Sequence, residues 1–291
     1  VLEQLLQAGV NGILLGGVYG GFAVGLSLIL GVLRIVNIAH SAVLIIGALG
    51  YWQLVNGLGL DPLLAIVPIV LLGYLLGLGV QRGVAHYLRR ESDTTVLLAF
   101  FGLMVVIETI AIIVWTTDTK TLDLHYLGGV LDLGFLRVPV ARVVAAGLSF
   151  ALLVALHLFL TRTLTGSAIR GLSSNRDVAE MVGIDGNRLS RHVFAMSIAF
   201  SAFGGTALAL VVPFTPQDHL RWLAWAFLVV ILGGLGSALR TLVAGVVIGV
   251  VESVVGVLLP FQYTYLVLYG LLAVVLLVRN QGLGGLKARS L

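Results

Sequence analysis

Long apolar stretches, each near the ~20 residues an α-helix needs to cross the hydrocarbon core of a bilayer, follow one another along almost the whole chain. About nine of them can be drawn, at residues 5–33, 40–55, 63–88, 96–115, 138–160, 192–212, 222–235, 242–259 and 265–278. Within hydrocarbon every backbone N–H and C=O must find its partner inside the segment, so these stretches read as helices. The fold class is therefore an all-α polytopic membrane protein, with residues 1–291 forming one transmembrane domain. The stretches at 40–55 and 222–235 are short, which fits broken or re-entrant helices and brackets the count at about eight to ten.

Composition excludes the main alternatives. With 59% hydrophobic and 10% charged residues and a mean hydropathy of +1.10, the chain lacks the polar surface of a soluble globule. A pI near 9.6 would point to nucleic acid in a soluble protein; here the arginines lie between apolar runs, where topology accounts for them and no nucleic-acid partner is expected. Cysteine is absent, which removes disulfides, thiolate metal sites and cysteine nucleophiles. Val1-Leu2-Glu3 carries no basic n-region and its apolar run continues to Leu33, so a first span is expected rather than a cleaved signal peptide.

Lys and Arg concentrate on the cytoplasmic side of membrane proteins. Alternate loops hold thirteen of the seventeen basic residues, with only Lys120, Arg137, Arg142 and Arg221 in the other set. That bias puts the C-terminus and the 161–191 loop in the cytoplasm and the N-terminus and the 116–137 loop outside, as an odd number of spans requires.

In the first span Gly12, Gly16 and Gly20 repeat every fourth residue beside a second row of Gly17, Gly21 and Gly25. Two faces of small residues admit two close neighbours. Ile29-Leu30-Gly31-x-Leu33 followed by Ala42, Ile46 and Gly47 recurs as Ile231-Leu232-Gly233-x-Leu235 followed by Ala244, Ile248 and Gly249. This is either a parallel duplication or a chance match in a chain rich in small apolar residues.

A carboxylate or imidazole in hydrocarbon must face a partner or a watered path. Glu252, Asn37 and His40 either line the path of a solute or lock helices together by hydrogen bonds, while Glu108 and His157 read as helix-locking groups. No His-Glu-x-x-His, no Gly-x-Ser-x-Gly and no cluster of metal-ligand spacing occurs, so no catalytic or metal site is assigned. The 164–191 segment is soluble-facing and reads as a short helix. Ser174 and Asp177 fit a capping box, Val178, Met181 and Val182 form one apolar face, and Gly183 supplies a left-handed stop. Such a helix either docks in a partner's groove or lies on the bilayer surface.

Three blocks carry a resemblance. Gly31-x-x-Arg34-x-x-Asn37-x-Ala39-His40 with Gly47-Ala48, then Thr165-Gly166-x-Ala168-x-Arg170 with Asp177-x-Ala179 and Gly183-Ile184, then residues 230–237 with Gly245, Gly249 and Glu252, together resemble the permeases of branched-chain amino acid ABC transporters. Ser41 departs from the glycine usual in that family, which leaves the substrate subgroup open. The resemblance implies a permease subunit of an ATP-driven importer in a bacterial-type inner membrane. Its implied partners are a second homologous permease, two ATPase subunits and an extracytoplasmic solute-binding protein, besides membrane lipid. Gly166, Ala168, Arg170, Asp177, Ala179, Gly183 and Ile184 would form the ATPase-coupling segment, and Asn37, His40 and Glu252 would lie on the path. No phosphate loop is present, and lysine occurs only at Lys120 and Lys287, so ATP and Mg belong to the partner ATPases and this chain binds no cofactor. Hydrophobic amino acids lead as substrate; urea, short amides and aromatic carboxylates stay open, as does a stand-alone transporter or channel.

Overall fold

A computed structural model describes residues 2–132, 134, 136–260 and 262–278; Arg279, Lys287 and Arg289, three of the thirteen basic residues counted toward the cytoplasmic side, lie outside them. The described chain is helical except for one small hairpin. Its elements are α1 (Leu2–Leu33), α2 (His40–Trp52), α3 (Pro62–Val80), α4 (Asp93–Trp115), β1 (Val130–Asp132), β2 (Arg137–Pro139), α5 (Val140–Arg162), α6 (Leu164–Ser174), α7 (Arg176–Met181), α8 (Gly186–Ala209), α9 (His219–Gly233), α10 (Ala238–Leu258) and α11 (Gln262–Val278). Strands β1 and β2 pair antiparallel, Leu131 opposite Val138.

Local chemistry sets the helix ends. Pro62 opens α3 behind Asp61, whose carboxylate accepts from the amides of Leu63 and Leu64 at 2.8 and 3.2 Å. Ser92 caps α4, Thr163 α6, Asn175 α7, Asp185 α8 and Ser237 α10, each accepting from an amide of the first turn. Helix α2 begins without a side-chain cap.

Among the described residues six helices have the length and composition to cross a bilayer: α1, α3 with the π-helical turn that prolongs it to Ala85, α4, α5, α8 and α10. Helices α2, α9 and α11 are shorter, at 13, 15 and 17 residues. These nine helices correspond one to one with the nine apolar stretches read from the sequence. At one end the 116–139 segment ties the others together. Gln7 exchanges two 2.8 Å hydrogen bonds with the backbone of Arg137. Trp52 Nε1 donates to the carbonyl of Thr121, and Lys120 bridges to Phe214 by backbone bonds. Helices α6 and α7 lie at the opposite end.

Helices α1 and α8 form the centre, with 78% and 83% of their most apolar stretch buried against 17% for α4. Glycine makes this possible. A Cβ on Gly12 or Gly16 would stand 2.6 or 2.5 Å from the backbone of α10, and one on Gly17 or Gly21 would run into Phe150 or Ser149 of α5. Gly25 instead meets the carbonyl of Ser197 in α8 and the ring of His40. The two glycine rows thus face two neighbours over most of their length, with a third neighbour taking the last position.

Candidate functional site

Helix α2 starts deep inside the bundle. Ser201 Oγ donates to the carbonyl of His40 at 2.6 Å, and Ser201 lies fifteen residues beyond Gly186, the first residue of α8, or about 22 Å along a helix of roughly 36 Å. The chain leaves α1 at Leu33, returns through residues 34–39 and begins α2 near the middle. This is the re-entrant geometry that the shortness of the 40–55 stretch allowed. Asn37 and His40 sit at this start, each 1% exposed. Asn37 Oδ1 and His40 Nδ1 have no hydrogen-bond partner, while His40 Nε2 lies 3.4 Å from the carbonyl of Phe22. The His40 amide donates to the Asn37 carbonyl at 3.3 Å, and with no side-chain cap the positive end of the helix dipole stays open to a carboxylate. Buried polar groups without partners add further donors and acceptors at the same place.

Glu252 lies elsewhere. It accepts a 2.6 Å hydrogen bond from Tyr19 Oη, so α1 and α10 share it, and it does not join Asn37 and His40. Around Tyr19 gather Phe22, Trp222 and Trp225, with ring centroids 5.7 to 6.4 Å from its own. The guanidinium of Arg221 stands over Trp222 at 5.0 Å and Tyr265 at 5.9 Å. Phe22 links the two places: its carbonyl faces His40 and its ring packs on Trp222 at 5.9 Å. The aromatic cluster and Arg221 escape a reading of the sequence, since aromatic residues at helical spacing read as core. Ser197 and Ser201, four residues apart on α8 and bonded to the carbonyls of Gly25 and His40, left a legible signal in their spacing. Glu108 pairs with His219 at 3.1 Å, joining α4 to α9, in keeping with a helix-locking role.

The 164–191 segment holds two short helices, α6 and α7, where one is expected, and α8 already begins within it at Gly186. Ser174 is the last residue of α6, and α7 is capped by Asn175, whose Oδ1 accepts from Val178 N at 3.1 Å; the Ser174 capping box does not form. Gly183 does provide the stop, with φ +89°. Its amide donates to the carbonyl of Glu180 and that of Ile184 to the carbonyl of Ala179, both at 3.1 Å, a Schellman closure. Val178, Met181 and Val182 are 55%, 85% and 72% exposed. Of the other expected coupling residues, Gly166 packs against the backbone of Leu160 and Ala179 is buried, so both shape the segment from within. Arg170 donates to Ser167 Oγ, and Asp177 is exposed. Ala168 and Ile184 line a shared recess of about 470 Å³. Among the described residues no group of His, Asp and Glu is placed to hold a metal ion.

The family model described as branched-chain amino acid transport system, permease component, matches residues 9–276. The chain is 24% identical to the high-affinity branched-chain amino acid transport system permease protein BraD of Pseudomonas aeruginosa, over 98% of its own length and 97% of the relative's. It is 24% identical to the corresponding protein LivH of Salmonella typhimurium, over 96% and 95%. A shorter match, 31% identical, covers 50% of the chain and 35% of the Salmonella permease protein LivM. No solved structure matches it.

Proposed function

The chain belongs to the branched-chain amino acid transport permease family, and from that membership we propose that it is one membrane subunit of an ATP-driven importer for branched-chain amino acids. An extracytoplasmic binding protein delivers the solute. A second permease, of the kind whose half-length match is noted above, completes the path, and two ATPases supply ATP and Mg chemistry. The end carrying α6 and α7 faces the cytoplasm of an inner membrane, with the C-terminus on that side and the 116–139 segment outside.

The observation that carries this reading is α7. A six-residue helix with Val178 and Met181 exposed is costly to leave against water and suits a partner's groove. It is also stiffly mounted. Arg176 pairs with Glu180 at 2.9 Å and donates to Asn187 and Ser190 on α8, so displacement of α7 moves α8. Asn37, His40 and the start of α2 bind the carboxylate of the passing solute, and Glu252 with its aromatic neighbours meets its ammonium and side chain.

The test is leucine uptake into proteoliposomes holding the complex purified from its native membrane. Uptake requires ATP and the binding protein, and Val178→Asp abolishes it while leaving the complex inserted. Uptake by this chain alone, driven by an ion gradient, would overturn the proposal.

A further inference from the structure

The α6–α7 end of the bundle holds a second cluster of charged groups, apart from the Tyr19–Glu252 cluster. A recess of about 340 Å³ opens there, walled by the α1–α2 connection, the end of α3, the turn into α4, the first residue of α7 and the first half of α8. Its size falls within the ~300–1,000 Å³ typical of small-molecule sites. Charges of both signs and an apolar wall meet in it. Arg34 and Arg176 contribute cations, Glu91 and Asp93 carboxylates, and Phe100 and Phe194 are among the apolar lining residues. Arg176 is already committed to Glu180, Asn187 and Ser190. Arg34, Glu91 and Asp93 make no side-chain hydrogen bond or ion pair among the described residues. Arg34 also holds the left-handed conformation, φ +56°, which a non-glycine residue adopts at a cost and which gathers at ligand clamps.

A lone anion would meet the two carboxylates and a lone cation the two arginines, so the mixed set favours a ligand carrying both charges. We infer that this recess binds a free branched-chain α-amino acid on the product side of the membrane, its carboxylate on Arg34, its ammonium on Glu91 and Asp93 and its side chain against Phe100 and Phe194. The inference rests on the permease reading for its choice of amino acid. The bound molecule bridges the α1–α2 connection, the α3–α4 turn and α7, opposes their relative movement, and so slows import once product accumulates.

The experiment measures binding of radiolabelled L-leucine to the purified complex in nanodiscs without binding protein, together with leucine uptake into proteoliposomes. Binding is saturable. Leucinamide, which lacks the carboxylate, and 4-methylpentanoate, which lacks the ammonium, compete about tenfold or more weakly, and Arg34→Gln and Asp93→Asn each weaken leucine binding to the same degree. Glu252→Gln, which alters the proposed path, leaves the Arg34-dependent component of this binding in place. Leucine loaded into the vesicles beforehand slows uptake by the unaltered complex and not by Arg34→Gln. Uptake without saturable binding overturns this site and leaves the transport proposal standing; binding with the expected variant pattern but no ATP-driven uptake does the reverse. Binding that survives both pocket variants, or is lost in Glu252→Gln, puts the leucine on the path and overturns the assignment. A phospholipid retained by the unaltered complex and lost from Arg34→Gln, with no leucine bound, overturns it in favour of a lipid site.

Discussion

Replacing Gly245 by alanine tests the seam between α1 and α10. The added methyl would stand 2.5 Å from the carbonyl oxygen of Gly16 and 2.8 Å from the amide nitrogen of Gly20. Both are backbone atoms of a central helix and cannot turn aside as a side chain would. Favourable contact begins near ~3.5 Å, so the helices must part by about 1 Å, a gap that forfeits a quarter to a half of each dispersion contact along the seam. Overpacking of this kind costs about 1–3 kcal/mol. Gly256 lies on the same helix with nothing within 4 Å of its virtual Cβ, so Gly256→Ala shares the ~0.5–1 kcal/mol gain in helix propensity without the clash. The pair of variants therefore separates by about 1–3 kcal/mol with the propensity gain cancelled. After heating in detergent, the size-exclusion peak of Gly245→Ala disappears several degrees below that of the unaltered complex, and that of Gly256→Ala at or above it. Equal midpoints for both variants would refute the close α1–α10 approach and with it the role given to the glycine rows.

Other expectations concern two polar groups and the glycine that ends α7. Glu252→Gln keeps a side chain able to accept from Tyr19 but removes the charge, so leucine uptake falls about tenfold or more while thermal stability holds; unchanged uptake would reduce Glu252 to a helix lock. Gly183→Val places a β-branched residue at φ +89° and costs about 1–2 kcal/mol locally, so ATP-driven uptake is lost with insertion intact, read as uptake per inserted complex. His219→Ala leaves Glu108 without its 3.1 Å partner and lowers the melting midpoint by the equivalent of about 1–3 kcal/mol, a figure discounted for the partial exposure of Glu108; a midpoint equal to that of the unaltered complex would show the pair to be idle.

Hydropathy was enough to read the spans because hydrocarbon leaves the backbone few alternatives, and the glycine rows were legible because their spacing is set by the helix itself. Asn37, His40 and Glu252 stood out through the cost of polar groups in hydrocarbon. What stayed hidden depended on contacts far apart in sequence. Tyr19 and Glu252 are 233 residues apart, and nothing local to either marks the other. The cap of α7 was misplaced because Ser174 and Asn175 both suit an N-cap; the bond from Val178 to Asn175 decides it. The depth at which α2 begins was likewise beyond its length alone, since it is set by the Ser201 to His40 bond. The Ser201 contact places α8 between α7 and α2. Its first half is joined to α7 through Asn187 and Ser190, and fifteen residues from its start it holds the carbonyl of His40. A 24-residue helix buried along most of its length moves as a rod against packed neighbours rather than by bending. In the proposed import cycle, displacement applied at α7 reaches the start of α2 through α8 without a separate relay. Ser201→Ala breaks the last link while sparing the first, so it uncouples ATP hydrolysis from uptake; coupling equal to that of the unaltered complex would mean that α2 is driven through another contact.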